Sequence, residues 1–85
     1  MKLLFTKSFR KEYAVLPTHI QALAEKKLGL LLHDSYRPSL RIKKMEGSGD
    51  IWEGRITQSY RFTFHMQGDT YILRRVGSHD MLKNP

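Results

Sequence analysis

Apolar residues recur every three to four positions up to about residue 33 and every second position from residue 40 onward, with Pro38 at the change. A helix brings positions i, i+3 and i+4 to one face, whereas a strand brings i and i+2 to one face, so the switch predicts helices first and strands after. In the first half, Phe9, Tyr13 and Leu16 share a face behind Thr6, a residue suited to cap a helix, and Pro17 ends the segment. Thr18 followed by Gln21 has the pattern of a capping box, and Ile20, Leu23, Ala24, Leu28 and Leu31 continue as an apolar stripe to about His33 to Ser35. Ahead of both, "KLLF" at 2 to 5 fits a short opening strand.

The second half reads as four strands: "SLRIKKM" (39 to 45), "IWEGRIT" (51 to 57), "YRFTFHM" (60 to 66) and "TYILRRV" (70 to 76). "EGSGD" at 46 to 50 and "QGD" at 67 to 69 are turn signals, and connections this short favour an antiparallel meander. The expected fold is α+β, with two N-terminal helices packed on one face of a small, mainly antiparallel sheet of four or five strands. No linker, repeat or low-complexity tract divides residues 1 to 85, which are read as one domain. At this size every element must contribute to one shared core.

There is no cysteine, so neither a disulfide framework nor a thiolate metal site supplements that core, and a reducing cytoplasm is the expected compartment. The opening "MKLLFTKSF" has three consecutive apolar residues, too few for a signal-peptide core or a membrane span, so a soluble, unprocessed chain with no membrane partner is expected. Fifteen Lys and Arg against eight Asp and Glu give a net charge of +7. An excess of that size points to a polyanionic partner, either nucleic acid or a strongly acidic protein.

Strand alternation gathers Arg41, Lys43, Glu53, Arg55, Arg61 and His65 on the face opposite the apolar one. Arg74 and Arg75 are adjacent, so only one can join them, and periodicity leaves open which. Clustered cations repel one another unless an anion is due there, and each phosphate contact adds salt-dependent affinity. His79 follows Gly77 and Ser78, read as a turn at the end of the last strand, beside the strand that carries Arg61. No His, Asp and Glu set has metal-ligand spacing, so neither a metal nor another cofactor is expected. Ser78 next to His79 is no triad signal, because sequence neighbours rarely face each other. The chemistry these residues suit is phosphodiester cleavage without a metal. The 2'-hydroxyl of RNA attacks its own phosphate while a base takes the proton, cations stabilise the transition state, and an acid protonates the leaving oxygen.

The order of a short strand, two helices, "SLRIKKM", "IWEGRITQSYRFTF" and "YILRRVGSHDML" resembles the RelE/ParE superfamily of bacterial type II toxins, in its messenger-RNA interferase branches, over nearly the whole chain. Its most specific pieces are "WEGRITQSYRF" and "VGSHD". The resemblance implies a toxin that cuts mRNA, on the ribosome or free of it, and is silenced by an acidic antitoxin in a hetero-oligomer. It implies that Arg61 stabilises the cleaved phosphate, that Arg55 grips the same backbone and that His79 is the general acid or base; Arg41, Lys43, Arg74 and Arg75 are the RNA-binding candidates from strand alternation and charge. A tyrosine or second acid/base group found at the C-terminus of several members has no counterpart here, and Glu53 stands where ribosome-dependent members carry a lysine. Glu53 and His65 are the candidates for the second proton carrier. Two other readings stay open, a ParE-like inhibitor of DNA gyrase and a catalytically decayed domain that only binds its antitoxin.

Overall fold

The computed structural model describes residues 1 to 47, 49 to 80 and 82, and its elements follow the expected order. Strand β1 (Lys2–Phe5) leads into helices α1 (Lys7–Ala14) and α2 (Thr18–His33). A 3-10 turn (Pro38–Leu40) precedes β2 (Lys43–Lys44), β3 (Trp52–Arg55), β4 (Tyr60–Gln67) and β5 (Thr70–Ser78). The five strands lie in the order β1-β5-β4-β3-β2, antiparallel from β2 to β5, with β1 parallel to β5 at the far edge. β5 is therefore covered on both edges, as its apolar residues on both faces suggest.

Burial explains the period switch. Phe9 and the α2 stripe of Ile20, Ala24, Leu28 and Leu31 pack against Phe62, Phe64, Leu73 and Val76 of the sheet. Leu23, expected in the stripe, lies at its margin and stays 37% exposed. Thr6 caps α1 as expected, accepting the Phe9 N–H at 3.2 Å. The capping box at Thr18 does not form: Pro17 is the N-cap, and Gln21 instead donates its side-chain amide to the Tyr13 carbonyl at 2.9 Å. With the Tyr13 hydroxyl donating to Glu25 at 2.9 Å, Gln21 locks the tight turn between the helices. Burial, and after it the Glu25 bond and charge, push the Tyr13 hydroxyl above its ordinary range.

The strand half departs from strict alternation in three places. "SLRIKKM" is mostly not strand: the 3-10 turn buries Leu40, Arg41 takes a left-handed conformation with φ of 45°, and only Lys43 and Lys44 pair with β3. Leu40 and Ile42 still point inward, so the apolar spacing was right but the backbone beneath it was not. Gly77 and Ser78 are not a turn, because β5 runs through them and they pair with Arg61 and Tyr60. Finally, a β-bulge lies between the pairs Thr63 with Arg75 and Phe64 with Leu73. It lets Leu73 and Val76, three residues apart, both face the core. The "EGSGD" loop closes with the Met45 N–H on the Ile51 carbonyl at 2.8 Å, and Ser48 in it lies outside the described residues.

Gly54, on the core face of β3, has no room for a side chain. A Cβ there would fall on the ring of Phe62, its partner across the ladder, 2.6 Å from Cε1 and 2.8 Å from Cε2. Alanine normally improves on glycine within a strand, but the fully buried Phe62 ring has nowhere to go. Gly54→Ala is expected to destabilise the fold by about 1 to 3 kcal/mol. A urea midpoint equal to or above that of the parent would contradict this packing.

Candidate active site

On the sheet face away from the helices, two arginines stand directly opposite each other: Arg55 on β3 pairs with Arg61 on β4. Like charges in register destabilise a sheet unless something neutral or negative intervenes. The neighbouring row supplies one carboxylate, Glu53, between Lys43 on β2 and Thr63 on β4. The Glu53 side chain is 7% exposed and lies 3.3 Å from Arg61 Nε and 4.0 Å from Lys43 Nζ, so it balances part of the cation cluster while still lining the cleft.

Arg61 is fixed in place. Its NH1 donates to the carbonyls of Thr57, of Gln58 at 2.6 Å and of Tyr60 at 3.2 Å, so one guanidinium ties together the loop between β3 and β4. The Thr57 hydroxyl tightens the same loop, accepting the Ser59 and Tyr60 N–H groups at 3.2 Å each. On the other side the backbone N–H of His79 donates to the Ser59 carbonyl at 2.8 Å. Arg61 and His79 thus hold the same short loop, the arginine at Thr57, Gln58 and Tyr60 and the histidine backbone at Ser59 between them. β5 ends at Ser78, so His79 is the first residue of the turn beyond it, where it is exposed; it is not among the residues that line the arginine cleft. The His79 carbonyl accepts the Leu82 N–H at 3.3 Å, and Leu82 is buried, which anchors the turn after the histidine. Met81 and Lys83, part of the departing C-terminus, lie outside the described residues.

Arg55 is poorly compensated. Desolvation, then the charges of Arg61 and Arg41, hold its guanidinium below the ordinary arginine range, with Glu53 opposing them. Its Nε is buried without a hydrogen-bond partner. Arg41, Lys43, Glu53, Arg55 and Arg61 line one cleft of about 450 Å³, closed at one side by Pro38 and Ile42. Five of the predicted site residues are thereby brought together, and an anion in the cleft relieves the repulsion among four cations. A larger groove of about 480 Å³ on the helix side is lined by Tyr36, Trp52 and Met66 among others, and no carboxylate or imidazole lines it.

The remaining predicted residues lie elsewhere. His65, four residues beyond Arg61 on β4, pairs with Arg74, whose NH1 is 3.3 Å from His65 Nδ1. Arg75 is drawn to α1, where its Nε lies 3.2 Å and its NH2 2.6 Å from Glu12 Oε2, an interaction that raises the arginine further above neutrality. Glu12 also accepts the Val76 N–H at 3.4 Å, standing beside β5 where β1 has ended. Sequence reasoning overlooked Glu12, although its place three residues after Phe9 put a carboxylate beside the buried helix face. Thr63 was overlooked too. It is fully buried with an unpartnered hydroxyl in the middle of the charged face.

No protein-family model matches the chain. A curated relative does: the toxin RelE3 of Methanocaldococcus jannaschii is 33% identical over 82 residues, covering 89% of this chain and 88% of that protein. The chain belongs to the RelE family of toxins. Among solved structures, RelE in the RelB–RelE antitoxin–toxin complex of Methanococcus jannaschii superposes with a TM-score of 0.77 at 26% identity, covering 95% of each chain. YafQ of Escherichia coli strain BL21(DE3) superposes with a TM-score of 0.82 over 98% of each chain at 9% identity, a likeness of fold. The RelE fold thus holds here, and in this chain it carries the β-bulge, the Glu12 clamp and the arginine-lined cleft. Among the described residues no cluster of three or more metal-ligating side chains occurs, and no helix is long and apolar enough to cross a membrane.

Proposed function

We propose that this chain is the toxin of a type II toxin–antitoxin pair, an endoribonuclease that cuts mRNA and so stops translation. The observation that carries the reading is the Arg55–Arg61 pair in register in a cationic cleft, with the His79 backbone tied to the loop that Arg61 holds. A scissile phosphate in the cleft meets Arg55 and Arg41 first, while Arg61, fixed from behind by Glu53 and the loop carbonyls, adds a charge that cannot swing away. Preorganised cations of this kind stabilise the extra negative charge of the pentacoordinate transition state without reorganising during the reaction. Lys43 extends the cation row toward the strand edge.

His79 is the proton donor to the leaving 5'-oxygen in this scheme, being exposed and carried on a backbone tied to the Arg61 loop. Glu53 is the better-placed of the two candidates for the base that accepts the 2'-hydroxyl proton. It lines the cleft, whereas His65 is bonded to Arg74 further along β4. The 2'-oxygen bonds to phosphorus, the 5'-oxygen leaves with the donated proton, and the products carry a 2',3'-cyclic phosphate and a 5'-hydroxyl. The partner follows from charge and kinship. The solved RelE relative is held by an antitoxin, RelB, and a chain of net charge +7 suits an acidic antitoxin wrapped over it in a hetero-oligomer. The site of action is the cytoplasm, where mRNA is translated.

The test is cleavage of defined RNA in the presence of EDTA, on free transcripts and on programmed ribosomes. Cyclic-phosphate ends, and no cutting where the nucleotide before the scissile bond is 2'-deoxy, are expected. Equal cutting of the deoxy substrate, or no cutting in either setting by a folded protein, would overturn the mechanism.

A further inference from the structure

The bulge turns Arg74 out of the core alternation and toward His65. As β4 and β5 pair Thr63 with Arg75 and Phe64 with Leu73, Arg74 is the extra residue between them. Its NH1 lies 3.3 Å from His65 Nδ1. A guanidinium only donates, so Nδ1 accepts and the ring proton sits on Nε2, which remains a donor. Arg74 Nε is buried and has no partner. The carboxylates nearest in register are engaged elsewhere, Glu12 with Arg75 and the Val76 N–H, Glu53 with Arg61 and Lys43. Among the described residues Arg74 stands in no ion pair. A partly buried guanidinium with only a ring nitrogen beside it is short of an anion.

We propose that Arg74 and His65 form a second phosphate subsite, which holds a non-scissile phosphate of the RNA; this rests on the nuclease reading above. Arg61 and His65 are four strand residues apart, roughly 13 Å by strand rise, so one phosphate does not serve both places. Beside Arg74 a depression of about 220 Å³, lined by Thr6, Ser8, Arg74 and Arg75, gives phosphate oxygens room and a hydroxyl partner in Ser8. The RNA backbone then crosses the face from the cleft on β3 and β4 toward β5 and the start of α1. His65 serves there as a binding donor through Nε2 and carries no proton in the reaction.

The experiment is fluorescence anisotropy of the full chain with a fully 2'-O-methylated oligoribonucleotide, which cannot undergo 2'-hydroxyl attack, over a range of salt. A single-strand phosphate contact contributes about 0.7 to the slope of log affinity against log salt. Arg74→Gln is expected to weaken binding about tenfold and to lose about that much slope. Arg74→Lys should restore the slope, which separates a lost charge from a damaged fold. His65→Phe, which keeps a ring of similar bulk, should weaken binding with the slope retained. Affinities and slopes equal to the parent for Arg74→Gln and His65→Phe overturn the subsite, and that is the result if the missing anion is an antitoxin carboxylate. Loss of cleavage with unchanged affinity in His65→Phe also overturns it. If the parent binds with the predicted slope changes but cuts no RNA, the subsite stands and the nuclease reading falls.

Discussion

Arg61→Met is expected to cost about 3 to 5 kcal/mol of stability, because it breaks a buried ion pair from one side. The side chain is 9% exposed, its Nε meets Glu53, and its NH1 holds three loop carbonyls. Removing it leaves a carboxylate buried with only the more distant Lys43 for company, and frees the loop that also anchors His79. For a domain whose total stability is of the order of 5 to 15 kcal/mol, such a loss approaches unfolding. Neutralising the stranded partner tests the cause: Glu53→Gln combined with Arg61→Met should be more stable than Arg61→Met alone. Denaturant titration of the three variants measures it. A loss under about 1 kcal/mol for Arg61→Met would mean that the pair behaves as an exposed one, contrary to its burial. Part of the catalytic deficit of any Arg61 variant is therefore structural, and activities need to be compared at matched folded fractions.

His79→Ala is expected to leave the fold intact and to lower the cleavage rate by roughly a hundredfold to ten-thousandfold, the usual worth of a positioned proton-transfer group. The ring is exposed, and the bonds that hold this residue, to Ser59 and from Leu82, are made by its backbone, which alanine keeps. Single-turnover cleavage with and without added imidazole separates proton transfer from positioning. Recovery by imidazole is predicted in the variant and not in the parent. A variant as fast as the parent would remove His79 from the chemistry.

The layer order was legible because burial imposes its period on the sequence: Phe62 and Phe64 against Arg61 and Thr63 admit only one facing. The cleft was legible for the same reason, since Arg55, Arg61 and Glu53 follow from alternation on two regular strands. What escaped was wherever the backbone leaves its period. The bulge hid in β5 because both faces of a central strand are partly apolar, so a slip at Arg74 leaves no mark in the pattern. Arg41 reads as a strand residue although a left-handed turn carries it, since Leu40 and Ile42 are buried either way. The fates of Arg75 and Gln21 depended on partners, Glu12 and Tyr13, that no local pattern connects to them. A charge placed by periodicity on an open face still has to be sorted into those already paired and those left for a ligand, and only the tertiary contacts do that.

The most direct measurement is induced expression of the parent chain and of His79→Ala in bacteria without the antitoxin, with growth followed and mRNA 5' ends mapped. Growth arrest accompanied by new internal 5' ends, both lost in His79→Ala at equal protein level, is the predicted result. Arrest with no new ends, or arrest and ends that persist undiminished in His79→Ala, would contradict the central claim that this cleft and His79 cut RNA.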